Sequence, residues 1–404
     1  MGDQDGGQAT GGLSRARLGR LREVLEEAVA CGDAPGVVAL VHRRGETHVA
    51  ALGALALGGD APMRRDTIFR MASMIKPITA VATMILVEEC RLRLGDPVDD
   101  LLPELAAPRV LRRPDGPLDD TVPAERAITV RDLLTFRLGT GMVPAECPIQ
   151  KAMAEAGLEI GPDGPAFGPD EWIARLGALP LVHQPGTAWM YHTGADVLGV
   201  LIARATGRPF ADFLRERVFE PLGMRDTGFH LPEEKLDRLA VPYAADPETG
   251  ALSRRLEPRE GQWDRPPAFP SGAGGPSLLS TADDYLAFCR MLLRKGRYDG
   301  GRILSRPAVG LMTTDHLTPE QKAGNEVFFG PGGWGFGLAV GASRDDLAIG
   351  PGRFGWTGGL GTEAYVDPAE DLVGILLTQR ALASPLPPRV FQDFWTLAYA
   401  AIDD

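Results

Sequence analysis

Residues 69–76 read Phe69-Arg70-Met71-Ala72-Ser73-Met74-Ile75-Lys76, followed by an apolar run from Ile78 to Val87 broken at Thr79 and Thr83. That run is shorter than the roughly 18 apolar residues a membrane helix needs. It predicts a buried helix from Ser73 to about Cys90. At a helix start, positions three apart share a face, so the Lys76 amine can reach the Ser73 hydroxyl. A hydroxyl becomes a nucleophile when an adjacent base takes its proton, and an amine does so only when neutral. Lysine's ordinary pKa of about 10.4 falls on burial or beside another cation, whereas a guanidinium, above about 12, cannot serve. Composition sharpens the pair. Of the 42 basic residues only five are lysines (76, 151, 235, 295 and 322), set against nine serines in 404 positions. Such counts predict about 0.1 chance matches to Ser-x-x-Lys, and one occurs. Taken alone, it reads equally as a helix cap followed by a solvated lysine.

Two further stretches carry chemistry. Tyr191-His192-Thr193 lies between Gln184-Pro185-Gly186-Thr187 and Gly194-Ala195-Asp196-Val197-Leu198-Gly199. A tyrosinate there relays protons if positive charge lowers its pKa from about 10; as an isolated residue Tyr191 is an ordinary core or loop aromatic. His192 either lines a pocket or is a packing histidine. Trp356-Thr357-Gly358-Gly359 precedes an expected strand, Gly361 to Val366. Its glycines admit a substrate close to backbone, and an N–H there, with that of Ser73, is able to cradle an oxyanion. The alternative is a plain glycine turn.

Along the chain, residues 1–12 read as a flexible tail. A helix capped by Ser14 follows, ending at Cys31-Gly32, and Val37 to His42 with Thr47 to Leu52 predict a hairpin. Helices are expected over Val197 to Ala205, Phe210 to Phe219, Thr281 to Leu293 and about Pro388 to Ile402. Strands are expected over Gly335 to Val340, Gly361 to Val366 and Leu372 to Thr378. This outline is α+β: residues 13–95 and 280–404 form one α/β subdomain from both chain ends, and 96–279 a mainly helical insertion.

The three pieces, in order and spacing, resemble the serine β-lactamase and penicillin-binding-protein-like superfamily, in particular its family VIII carboxylesterases, which are class C β-lactamase-like. The resemblance runs from about Leu18 to the C-terminus. It includes Phe69 to Ala72, Leu94-Gly95-Asp96-Pro97-Val98, Ile128 to Thr135, Pro221 to Thr227 and Gly272-Ala273-Gly274-Gly275. It implies a β-lactamase/transpeptidase-like fold, a central antiparallel sheet flanked by helices. It also implies Ser73 as acyl-forming nucleophile, Lys76 as its activator, Tyr191 as general base and acid, and an oxyanion hole from the amides of Ser73 and Gly359. Thr193, Trp356, Thr357 and Gly358 then face the substrate. Two departures stand out. Thr193 occupies a place where the family commonly has Asn. Trp356 occupies one where lactamases and peptidases usually have a Lys for the substrate carboxylate, so neutral esters are favoured.

Other chemistries find no support. The balance of 42 basic to 54 acidic residues, −12 overall, disfavours nucleic acid as a partner. Cys31, Cys90, Cys147 and Cys289 have no metal-ligand spacing and are expected to be reduced and mostly buried, so neither metal nor other cofactor is expected. No serine lies in Gly-x-Ser-x-Gly, and Gly330 to Gly335 matches Gly-x-Gly-x-x-Gly without the strand and helix a dinucleotide site needs. The beginning of the chain lacks a basic, then apolar, export signal, which points to the cytoplasm. The expectation is a serine hydrolase acting on a small-molecule ester. Its alternatives are an acyltransferase using the same acyl-enzyme, a β-lactamase or D-amino-acid peptidase, and a catalytically silent binding relative.

Overall fold

Val37 to Val41 is apolar at every position, the pattern of a strand covered on both faces. The computed structural model describes residues 11–143, 147–161, 164–246, 249, 251–254, 263–275, 278–344 and 346–404. In it these residues lie in β1 (Gly36–Arg43), paired with β2 (Glu46–Gly53). The turn between them places Arg44 and Gly45 at positive φ, which the right-handed twist of a two-residue hairpin requires. The other strands come from the far end of the chain: β3 (Gly333–Trp334), β4 (Ala339–Val340), β5 (Phe354–Gly358), β6 (Thr362–Asp367) and β7 (Leu372–Thr378). They form one antiparallel sheet in the order β3-β4-β5-β6-β7-β1-β2.

Six helices matter for the site: α1 (Arg15–Ala30), α2 (Ile75–Glu88), α3 (Val130–Leu134), α4 (Thr193–Thr206), α5 (Ala282–Leu293) and α6 (Arg389–Ala400). Strand alternation sorts β1 into two cores. Val37, Ala39 and Val41 join Leu21 and Leu25 of α1 and Phe391 and Phe394 of α6 on one face. Val38 and Leu40 join α2 and α5 on the other. Each such valine, leucine or phenylalanine stabilises by roughly 1.5–3 kcal/mol when fully buried. Helix α2 is buried at every position from Ile75 to Leu86, so it runs through the interior, and Lys76 is its one charged residue before Glu88.

Several expectations need correction. Ser73 belongs to a short 3-10 turn, Ala72–Met74, and the α-helix begins at Ile75. Gly335 to Val340 is not one strand. Gly337, at φ 68°, turns the chain so that its N–H reaches Leu134 O, and pairing resumes only at Ala339. Trp356 to Gly358 lie within β5 rather than in a turn before a strand. Ser14 stands at the N-cap of α1 without a side-chain bond to it. The expected helical insertion also contains small ladders, Arg109–Leu111 with Thr121–Pro123 and Tyr243–Ala245 with Leu252–Arg254. Of the four cysteines only Cys289 is buried, and Cys31 and Cys90 are exposed. Of the expected tail, residues 1–10 lie outside the described residues. Gly11 and Gly12 are held, because their carbonyls accept from the Arg43 guanidinium.

Candidate active site

Ser73 sits at the end of β5 through two close backbone approaches. A Cβ on Gly358 would lie 2.4 Å from Met71 O, and one on Gly274 2.7 Å from Ser73 N, so neither position admits a side chain. Ala72, just before the serine, holds φ 45°, a conformation that costs a non-glycine residue about 1 kcal/mol or more and is found where packing over-determines it. As second residue of its turn, Ser73 leaves its N–H unpaired by the helix. Ser73 and Gly359 line one cavity of about 820 Å³.

The lysine comes next. Lys76 is 1% exposed; its Nζ lies 2.8 Å from Ser73 Oγ and 2.5 Å from Ala273 O. Burial disfavours the ammonium and lowers its pKa to about 7, against an opposing pull from Asp196. The sequence asked for a neutral amine, and the packing provides one near physiological pH.

Tyr191 lies beside the pair in an aromatic cluster. Its ring stacks on Trp189 and Phe328 and tilts against Trp356. Its hydroxyl accepts a 2.6 Å hydrogen bond from the Trp356 indole N–H and is hydrogen-bonded to Ser73. Lys76 Nζ lies 4.4 Å from the ring centroid. The lowered pKa that a tyrosinate relay would require does not occur. Burial raises it, outweighing the bonds from Ser73 and Trp356, so Tyr191 is a protonated phenol at neutral pH.

The remaining expected residues divide. Trp356, Thr357 and Gly359 line the cavity with Ser73 and Tyr191, whereas Thr193 and Gly358 are buried and do not. Thr357 bonds Glu363, a carboxylate whose pKa burial raises. Sequence reasoning missed two features. One is Trp356 as a hydrogen-bond donor to Tyr191. The other is the contact of His192 with Lys76, 3.5 Å from Nζ; of the two readings left open for His192, it lines the cavity.

The chain has known relatives. The Beta-lactamase family matches residues 21–389. The chain belongs to that family. Within it, Protein Rv1367c of Mycobacterium tuberculosis (strain ATCC 25618 / H37Rv) is 40% identical over 367 residues, covering 88% of each chain. Esterase EstB of Burkholderia gladioli is 34% identical over 382 residues, covering 90% of each. Among solved structures, EstCE1, a hydrolase with promiscuous acyltransferase activity, superposes with a TM-score of 0.79 at 26% identity, covering 95% of this chain and 99% of its own. The β-lactamase/transpeptidase-like fold expected from the motifs is thereby borne out. No described helix is long and apolar enough to cross a membrane.

Proposed function

We propose that this member of the Beta-lactamase family is a serine carboxylesterase that cleaves small-molecule esters through an acyl-enzyme on Ser73. The observation that carries the reading is the Lys76 amine, buried, with a pKa near 7 and 2.8 Å from Ser73 Oγ. Ser73 Oγ attacks the ester carbonyl while its proton passes to the neutral Lys76 amine. Negative charge gathers on the carbonyl oxygen, to which the amides of Ser73 and Gly359 donate. The C–O bond to the alcohol then breaks, and the leaving alkoxide takes a proton from Tyr191, which regains it from Lys76. Water repeats the sequence to release the acid. Trp356 orients the phenol and places no cation in the cavity where a substrate carboxylate would need one.

Thr193 and Gly358 act in this reading from behind the wall, setting backbone, while Thr357 faces the ligand. Phe328, Phe329, Leu360, Leu382 and Phe391 line the chamber, and Met142, Val327 and Leu386 expose apolar surface at it. A space of this size and character suits an ester with a bulky apolar acyl or alcohol group. The likeness to Esterase EstB supports ester hydrolysis, and that to EstCE1 keeps transfer of the acyl group to an alcohol as the second reading. We also infer the two-subdomain division at about residues 96 and 279, with the site between its parts, and a cytoplasmic setting.

The test is turnover of p-nitrophenyl esters of increasing chain length and of a chromogenic cephalosporin, by wild type and Ser73→Ala. Ser73-dependent ester cleavage, rising with acyl size and exceeding cephalosporin turnover, is expected. Absence of any Ser73-dependent ester turnover overturns the reading, and ester exchange outpacing hydrolysis when an alcohol is added promotes the acyltransferase.

A further inference from the structure

A neutral amine has two N–H groups and one lone pair. Three groups surround Lys76 Nζ: Ala273 O at 2.5 Å, His192 Nδ1 at 3.5 Å and Ser73 Oγ at 2.8 Å. If the first two accept the two N–H groups, the lone pair is left for the serine proton. That assignment requires His192 Nδ1 to be an acceptor, hence the ring proton to sit on Nε2. Nε2 lies 3.3 Å from Asp196 Oδ2, an acceptor that selects this tautomer. Both side chains are buried; burial, and after it the positive charge of Lys76 when protonated, lower the His192 pKa, outweighing Asp196, so the ring is neutral.

Two further observations show that the pair is built for this contact. His192 is a non-glycine residue at φ 87° and ψ −72°, with Thr193 N–H donating to Tyr191 O across it. This tight three-residue turn is strained, and it aims the imidazole at Lys76. The second carboxylate oxygen, Asp196 Oδ1, accepts from Ser271 Oγ at 2.5 Å and Ala273 N at 3.1 Å. Ser271 Oγ in turn accepts from the amides of Ala273, Gly274 and Gly275. Thr79 of α2 fastens the same loop by donating to Gly272 O. One carboxylate therefore sets both acceptors that face the amine: the imidazole directly and the Ala273 carbonyl through its loop.

We propose that Asp196 and His192 are positioning residues for the proposed ester hydrolysis, fixing the direction of the Lys76 lone pair toward Ser73. The groups facing this amine are Ser73 from its own turn, Tyr191 and His192 from the segment leading into α4, Asp196 from the first turn of α4, and Ala273 from the loop; Asp196 is the one anion among them. Asn at position 196 can present an N–H to Nε2, which forces the proton to Nδ1 and makes the ring compete with Ser73 for the lone pair. It also removes the charge that raises the amine's pKa.

The inference rests on the Ser73–Lys76 reading, and two measurements separate their failures. One is kcat/KM for a p-nitrophenyl ester from pH 5 to 9. The other is the rate of Ser73 phosphonylation by a fluorophosphonate, which needs the activated serine but no ester turnover. Asp196→Asn and His192→Leu are each expected to lose about 10- to 100-fold in kcat/KM and in phosphonylation at pH 8, with KM little changed. His192→Asn, which keeps an acceptor, is expected to recover part of that loss. In Asp196→Asn the acid limb moves to lower pH, which loss of packing alone would not produce. His192→Leu tests the contact without touching the Ser271 loop, should Asp196→Asn fail to fold. Variants that phosphonylate at the wild-type rate, with wild-type pH profiles, overturn the inference. Absence of Ser73-dependent ester turnover in wild type overturns the function proposed above, while the phosphonylation rates still decide this one.

Discussion

Two buried cations lie in different regions of the molecule and meet opposite ends. Arg43, at the edge of the face covered by α1 and α6, is 1% exposed and saturated with partners. It donates to Gly11 O, Gly12 O, Glu370 O and Asp404 Oδ1, with Glu370 Oε2 at 3.5 Å. Lys76, against the other face, is equally buried but touches no carboxylate; its neighbours are a hydroxyl, a carbonyl and an imidazole. A guanidinium keeps its proton, so burying it demands compensation, and it ties chain segments together. An ammonium instead yields its proton to burial, and the amine that remains is a base. Burial with no carboxylate in direct contact, Asp196 acting only from behind His192, marks the reactive cation here.

The comparison breaks most clearly at its reactive end. Ser73→Ala is expected to lose at least about 10⁴-fold in kcat/KM for any ester substrate, measured against enzyme of matched folded fraction. Lys76→Arg tests the contrast directly by putting the unyielding cation where the yielding one stood. A drop of at least about 10³-fold is expected, with no acyl-enzyme by mass spectrometry; near-wild-type acylation would show that no neutral amine is needed. At the structural end, Arg43→Met is expected to cost about 3 kcal/mol in denaturant unfolding. That is the low end for breaking a buried pair, because Asp404 and Glu370 are 31% and 34% exposed. Its kcat/KM per folded molecule should match wild type. With the Lys76 pKa at about 7, the amine is protonated and idle below that value and neutral above it. The wild-type kcat/KM should therefore fall by about tenfold per pH unit below 7 and level off above it. The smallest effect is expected for Trp356→Phe, which removes one hydrogen bond from Tyr191 while keeping an aromatic ring: about five- to tenfold in kcat, with KM for a neutral ester unchanged.

Much of this was legible in the sequence because it rests on local spacing. Ser73 and Lys76 face each other through helical geometry alone, and β1 announced its burial through five successive apolar residues. The hairpin and the ends of α1, α5 and α6 followed from periodicity and breakers. Short strands were the failures. β3 and β4 are two residues each and exist because the sheet edge recruits them, and glycines in β5 hid a strand that pairs on both sides. Two of the other four lysines also depend on tertiary partners: Lys235 and Lys322 are half-buried and bridge Asp226 and Asp315, whereas Lys151 and Lys295 are exposed.

What the sequence determined by itself was the kind of chemistry: a serine, a lysine three residues on, and a tyrosine and tryptophan in the order the family uses. The protonation states came only from the folded structure. Lys76 is a base because α2 runs through the interior, and Tyr191 stays a phenol because burial raises its pKa more than the hydrogen bonds with Ser73 and Trp356 lower it. His192 and Asp196 joined the site only when α4 and the 271–275 loop closed on α2. Charge in water is a property of a residue, but charge out of water belongs to everything packed around it.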